Sequence, residues 1–198
     1  MFAQENQKMK TNSKNYKKYL EFVLMLGVLM LTACMDKLDT QDLVKVKIGE
    51  KVPQFNVCVT VPDSSDWRFE DGKVVDYDSY ANAGRRQFIM FFHTACSDCQ
   101  RELPVIQEFY SRHKGENVIS FVCIARAESD ADIMDYWCSN GLTLPYSPQA
   151  DRRIFDQFAD SGIPRIYVTD SNGFVTGIFT DRDKLTLEML ESSIETTR

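Results

Sequence analysis

The chain has 198 residues, of which 43% are hydrophobic and 26% charged, and its formal net charge is -6. This length suits one globular domain with a short additional segment. Removing the lysine-rich first 33 residues leaves a more acidic remainder, so we expect neither nucleic acid nor an anionic lipid surface as a docking partner. With only 2 histidines, we expect no histidine-rich metal site. We also expect no cofactor.

The first 33 residues have the pattern of a secretory signal. Basic residues precede an apolar run over 22–31 that is too short to cross a bilayer comfortably as a helix. The run ends in Leu31-Thr32-Ala33-Cys34, which resembles a bacterial lipoprotein box, where the cysteine is lipidated. We therefore predict a signal peptide over 1–33, lipidation of Cys34 and a polar tether over 34–46. A plain signal peptide with an incidental cysteine, or an uncleaved anchor, is the alternative.

A β-hairpin is predicted at the start of the domain, shortly after residue 47. Phe55, Val57, Val59 and Val61 alternate along the chain as in a strand with one buried face. Asp71-Gly72 is a hairpin turn signal, and the return strand is expected over 73–77.

The central stretch of the chain joins an apolar run over 88–92 to a Cys-x-x-Cys motif, Cys96 to Cys99. Apolar residues at helical spacing follow, so the cysteines are predicted where a buried strand passes into a helix. Unpaired N–H groups and the macrodipole at a helix N-terminus favour a thiolate on Cys96. Cys99 lies one turn later on the same face, within reach to close a disulfide.

The remaining segments alternate between strand and helix. Residues 118–125 are a near-continuous apolar run, typical of a strand covered on both faces. Ser129 is expected to cap the helix that follows it. The further predicted elements are a short helix near 154–158, strands over 163–168 and 174–180, and an amphipathic helix over 184–196. This order predicts a three-layer α/β/α sandwich with a mixed central sheet and an N-terminal hairpin extension.

The strand, the Cys-x-x-Cys and the helix together resemble the thioredoxin superfamily. The run Cys99-Gln100-Arg101-Glu102-Leu103-Pro104 resembles its extracytoplasmic TlpA/ResA-type branch, which carries an acid three residues after the second cysteine and a proline five after it. The resemblance implies a thioredoxin-like domain over 47–198. Ala95 departs from the family, which usually has Trp there, and this puts partner choice in question more than chemistry.

The resemblance implies a membrane-anchored thiol-disulfide oxidoreductase on the periplasmic face or the cell surface, which reduces protein disulfides with electrons from a membrane donor. Cys96 would attack the substrate disulfide and Cys99 would resolve the mixed disulfide, so that the pair cycles through a Cys96–Cys99 bond. A structural disulfide is the alternative. Glu102 would exchange protons with Cys99, unless it is a solvated surface glutamate.

Three further residues are assigned to the site. Pro164 resembles the proline of thioredoxin folds that faces the cysteines, which implies a cis Ile163–Pro164 bond. His93, where the family usually has a small residue, would stabilise a thiolate when protonated or serve as a structural histidine. Arg165 would supply charge beside the site or lie on the surface.

Other functions stay open. A disulfide oxidase or isomerase would use the same fold and pair. A peroxiredoxin-like peroxidase is disfavoured because Thr94 lies two residues, not three, before Cys96. A copper-binding assembly factor would have Cys-x-x-x-Cys, and a zinc site needs a second close pair, which Cys58, Cys123 and Cys138 do not form. Retention of the cysteines, the acid and the proline opposes a non-catalytic binding lipoprotein.

Overall fold

A seven-stranded mixed sheet organises the described part of the chain, which is residues 44–62, 73–82 and 84–195 of a computed structural model. Across the sheet the strands run in the order β2-β1-β5-β4-β3-β6-β7. Strand β3 is parallel to β4 and β4 to β5, whereas the other neighbours are antiparallel. The strands are β1 (Asn56–Val61), β2 (Lys73–Asp78), β3 (Arg86–Phe92), β4 (Ile119–Ala125), β5 (Tyr146–Ser147), β6 (Arg165–Thr169) and β7 (Val175–Thr180).

Helices cover both faces of this sheet. Successive side chains of a strand point to opposite faces. The Phe92 ring packs on Trp137 of the helix Asp130–Asn140, with ring centroids 4.9 Å apart, and the neighbouring Phe91 packs on Phe155 of the helix Phe155–Phe158 at 5.4 Å. The predicted three-layer α/β/α sandwich is therefore confirmed. The helices are α1 (Ser97–His113), α2 (Asp130–Asn140), α3 (Phe155–Phe158) and α4 (Leu187–Glu195).

The predicted hairpin is present as β1 and β2, paired from Asn56 opposite Asp78 to Val61 opposite Lys73 at one edge of the sheet. Its Asp71-Gly72 turn lies outside the described residues, as do the signal peptide over 1–33, Cys34 and most of the tether. Within the described part, no helix is long and apolar enough to cross a membrane.

Two element boundaries differ from the prediction for local reasons. Strand β6 begins at Arg165, after Pro164, which has no N–H to give to the sheet. Helix α4 begins at Leu187 rather than at Lys184, because the Thr186 hydroxyl accepts a hydrogen bond from the Met189 N–H and so caps the helix there.

The strand register places one end of each of four strands, β3, β4, β6 and β7, side by side along one edge of the sheet, the edge formed by strand ends. Phe92 at the end of β3 lies opposite Ala125 at the end of β4. Arg165 at the start of β6 lies between Phe91 of β3 and Thr180 at the end of β7. The loops that follow β3, β4 and β7 and the loop that precedes β6 therefore meet at this edge.

Candidate active site

Cys96 is the N-cap of α1, as the sequence predicts. Its backbone is extended, with φ -83 and ψ 116, and its sulfur accepts a hydrogen bond from the Cys99 N–H at 3.4 Å. The half-buried thiol also lies 3.5 Å from the Ile163 carbonyl, to which it donates. The Cys96 sulfur is thus held between one hydrogen-bond donor and one acceptor.

Cys99 differs sharply from Cys96 in its surroundings. Its side chain is fully buried in the first turn of α1. Burial raises the pKa of the Cys99 thiol far above its usual range, and the hydrogen bond with Cys96 raises it further. Both thiols are free in this structure, so the redox disulfide between them stays a prediction.

Glu102 lies one helical turn beyond Cys99 and is only 3% exposed. Burial raises the pKa of Glu102 to about 7, although the Arg101 guanidinium, 3.4 Å away, opposes that shift. The alternative of a solvated surface glutamate is therefore wrong. The charge of Glu102 also raises the pKa of Cys99, so the two groups are electrostatically coupled.

The Ile163–Pro164 peptide bond is cis, which confirms the prediction from the family resemblance. The carbonyl that precedes this proline is the one that faces the Cys96 thiol. A groove of about 450 Å³ lies in front of both; its lining residues are His93, Ala95, Cys96, Arg126, Gly162, Ile163 and Asp181.

Arg165 is not a surface residue, because it is only 3% exposed. Its guanidinium donates to the carbonyls of Ser161 at 3.0 Å and Gly162 at 3.4 Å, and so supports the loop that leads to Pro164. Gly162 has a φ of +82, and a Cβ there would come within 3.0 Å of the Arg165 Nη2 atom. Among the described residues, the buried Nη1 atom of Arg165 finds no hydrogen-bond partner.

His93 is directed towards neighbours other than the thiol. Its Nδ1 atom accepts a hydrogen bond from the Ala95 N–H at 3.1 Å and lies 3.4 Å from a carboxylate oxygen of Glu128. Stabilisation of a Cys96 thiolate by His93 stays a prediction.

Glu128 is a site residue that the sequence analysis missed. It is 6% exposed and accepts hydrogen bonds from the N–H of Thr94, at 2.9 Å, and from the Thr94 hydroxyl. It therefore ties the loop before Cys96 to the loop after β4. The sequence signal that could have found Glu128 is its position, because it is a charged residue just after the apolar strand β4, where Arg126 also lies.

The comparisons with known proteins agree with this geometry. The Redoxin family model matches residues 47–196. The thiol-disulfide oxidoreductase ResA of Bacillus thuringiensis (strain Al Hakam) is 24% identical over 131 residues, which cover 66% of this chain and 68% of that protein. The ResA of Geobacillus kaustophilus (strain HTA426) is 24% identical over 150 residues, which cover 76% of this chain and 78% of that protein.

Solved structures share the fold. A putative protein disulfide isomerase from Bacteroides thetaiotaomicron superposes with a TM-score of 0.64 at 24% identity, covering 78% of this chain and 89% of that one. StoA from Bacillus subtilis superposes with a TM-score of 0.56 at 17% identity, covering 72% of this chain and 98% of that one. Because the family match spans most of the chain and the two cysteines have the geometry that this chemistry needs, the chain belongs to the Redoxin family and is a thiol-disulfide oxidoreductase.

Proposed function

We propose that the protein is an extracytoplasmic reductase of protein disulfides, held at a membrane by a lipid on Cys34. The observation that carries this proposal is the asymmetry of the Cys96–Cys99 pair, because it sets which thiol reacts first. Cys96 borders the groove, whereas Cys99 is fully buried with its pKa raised by burial. Cys96 is thus the group that meets substrate, and Cys99 is reserved for the second step.

The reaction exchanges one disulfide for another. The Cys96 thiolate attacks a substrate sulfur, forms a mixed disulfide and releases the other substrate sulfur as a thiolate, which takes a proton from water. Cys99 then loses its proton to Glu102 and attacks the Cys96 sulfur, which frees the second substrate thiol and leaves the Cys96–Cys99 disulfide. Two electrons pass to the substrate, and a membrane electron donor is proposed to restore the dithiol.

The electrostatics of the site support a reductase rather than an oxidase. A dithiol protein becomes a strong oxidant when its reduced form is stabilised. Here the cation next to the pair on α1, Arg101, is engaged by the carboxylates of Asp98 and Glu102.

The extracytoplasmic location and the anchor rest on the sequence before the domain. The apolar run over 22–31 and the box that ends in Cys34 support export and lipidation. Two acyl chains give stable membrane attachment, whereas one gives only marginal binding.

The reduction potential of the Cys96–Cys99 couple tests the direction. We expect a value near that of thioredoxin, about -270 mV, and a value near -120 mV, roughly that of a strong oxidant, would overturn the proposal. Cys99→Ser should accumulate a mixed disulfide through Cys96, and Cys96→Ser should lose reduction of a disulfide-bonded peptide. Cys58→Ser is the matched control, because Cys58 is an exposed thiol on β1 and should leave reduction unchanged.

A further inference from the structure

The groove beside Cys96 has a cation at one end and an anion at the other. Arg126 follows β4 and Asp181 follows β7, and both line the groove. Strands β3 and β6 lie between those two strands. Neighbouring strands are about 4.8 Å apart, so three spacings place the ends of β4 and β7, just before the two charged residues, about 14 Å apart. Cys96, which follows β3, lies between them.

The positive end of this groove is not neutralised within the described part of the chain. The Arg126 guanidinium lies over the Phe155 ring, 5.4 Å from its centroid, and no carboxylate of the described residues is within ion-pair distance. Phe155 is buried, so this contact holds the half-buried arginine against the groove wall.

The negative end makes no ion pair either, although the buried Arg165 guanidinium lies on the same side of Gly162 as the Asp181 carboxylate. Asp181 is exposed, and its carboxylate makes no ion pair or side-chain hydrogen bond with any residue in the described ranges. Nearer the cysteines, by contrast, Asp98 is paired with Arg101, and His93 lies against Glu128. Arg126 and Asp181 are therefore the groove charges left for a bound molecule.

We infer that this groove selects polypeptide substrates whose reacting cysteine is flanked by an acidic residue on the Arg126 side and a basic residue on the Asp181 side. An extended chain rises about 3.3 Å per residue, so about 14 Å corresponds to roughly four residues, and each charge lies about two residues from the cysteine. Ala95 contributes only a methyl group to the lining, which leaves recognition to the charges.

This inference rests on the proposed function and adds the substrate class to it. The bond exchange is the one already described, and Arg126 and Asp181 take part only in docking. An exposed ion pair changes affinity by about 2- to 5-fold, so both together should change kcat/KM by about 10-fold at low salt. The preference should shrink as the ionic strength rises.

The test uses three blocked peptides, each as its symmetric disulfide dimer: Glu-Gly-Cys-Gly-Lys, Lys-Gly-Cys-Gly-Glu and Gln-Gly-Cys-Gly-Gln. We expect one order of charges to be reduced about 10-fold faster than the other. The double variant Arg126→Glu with Asp181→Lys leaves the net charge of the protein unchanged and should invert that preference. Arg182→Glu, an exposed change beside Asp181, is the matched control and should keep it.

The outcomes separate the two ideas. If all three peptides are reduced at one rate, or if the double variant keeps the wild-type preference, the proposed function stands and the inference is overturned. If none is reduced, the proposed function fails and the inference fails with it. Should the double variant not fold, Arg126→Gln and Asp181→Asn serve instead, and each should reduce the preference by about 2- to 5-fold.

Discussion

At the scale of single residues, the site depends on two buried acids of different strength. Cys99 and Glu102 are one helical turn apart, and burial raises the pKa of each. The negative charge of either group opposes ionisation of the other, so the pair tends to hold one proton. In the proposed mechanism, that proton is the one that Cys99 loses when it resolves a mixed disulfide.

Glu102→Gln should change how stability depends on pH. The pKa of Glu102 is about 7 in the folded protein against 4.5 ordinarily, because of burial. The folded state therefore holds this proton over a range where the unfolded state has lost it, and the stability from this carboxyl falls as the pH rises from about 4.5 to about 7. Urea unfolding should show the free energy of unfolding of the variant rising, relative to that of wild type, between about pH 4.5 and pH 7.

The same variant also tests the proton transfer. Loss of general acid-base help should slow reduction by about 10²- to 10⁴-fold and remove the rise of rate around pH 7. Glu108→Gln, an exposed change on the same helix, should leave both profiles unchanged. Superimposable pH–rate curves for wild type and Glu102→Gln would exclude the catalytic role.

At the scale of elements, the loop between β3 and α1 is held at both ends. Cys96 caps the helix, and the Gln100 side-chain amide donates to the Thr94 carbonyl at 2.7 Å. Glu128, from the loop after β4, binds Thr94 from the other side. The thiol is thus positioned by two loops that are separated by 34 residues along the chain.

Glu128→Ala should weaken this positioning. The N–H and hydroxyl of Thr94 would lose their acceptor, which costs about 1–3 kcal/mol when such groups are buried. We expect lower stability in denaturant unfolding together with slower alkylation of Cys96 by iodoacetamide at a fixed pH.

Ser129→Ala is the matched control for this element. Ser129 caps α2 next to Glu128, and losing the cap costs about 1 kcal/mol without touching Thr94. The control should therefore lose stability and keep the alkylation rate. If Glu128→Ala behaves in the same way, Glu128 has a structural role only.

Local sequence signals predicted much of this element and missed its long-range part. The spacing of Cys96 and Cys99 after an apolar strand, and the Ser129 cap, depend on neighbours a few residues away. The contact between Glu128 and Thr94 depends on which strands pair, and that is decided by the whole core. The sequence also shows no sign that Arg165 is buried, because arginine is almost never fully buried unless paired.

At the scale of the whole molecule, the sheet topology explains how a few residues from distant parts of the chain form the groove beside Cys96. The ends of β3, β4 and β7 and the start of β6 meet at one edge, so residues far apart in sequence form one groove. The proposed membrane attachment would use the chain before the domain. Val44 pairs with Ala159 and Val46 is 5% exposed, so the chain contacts the domain from residue 44 onwards.

Cys34→Ser should release the protein from the membrane fraction, or leave it unprocessed, since each acyl CH₂ that enters the bilayer contributes about 0.8 kcal/mol. Fractionation followed by mass spectrometry of the mature N-terminus measures both. Cys58→Ser is the matched control, because it removes an exposed thiol within the domain and should stay in the membrane fraction. An unmodified Cys34 in the membrane-bound wild type would end the proposal of a lipid anchor, whereas reduction of disulfides by the released variant would show that the catalytic domain works without it.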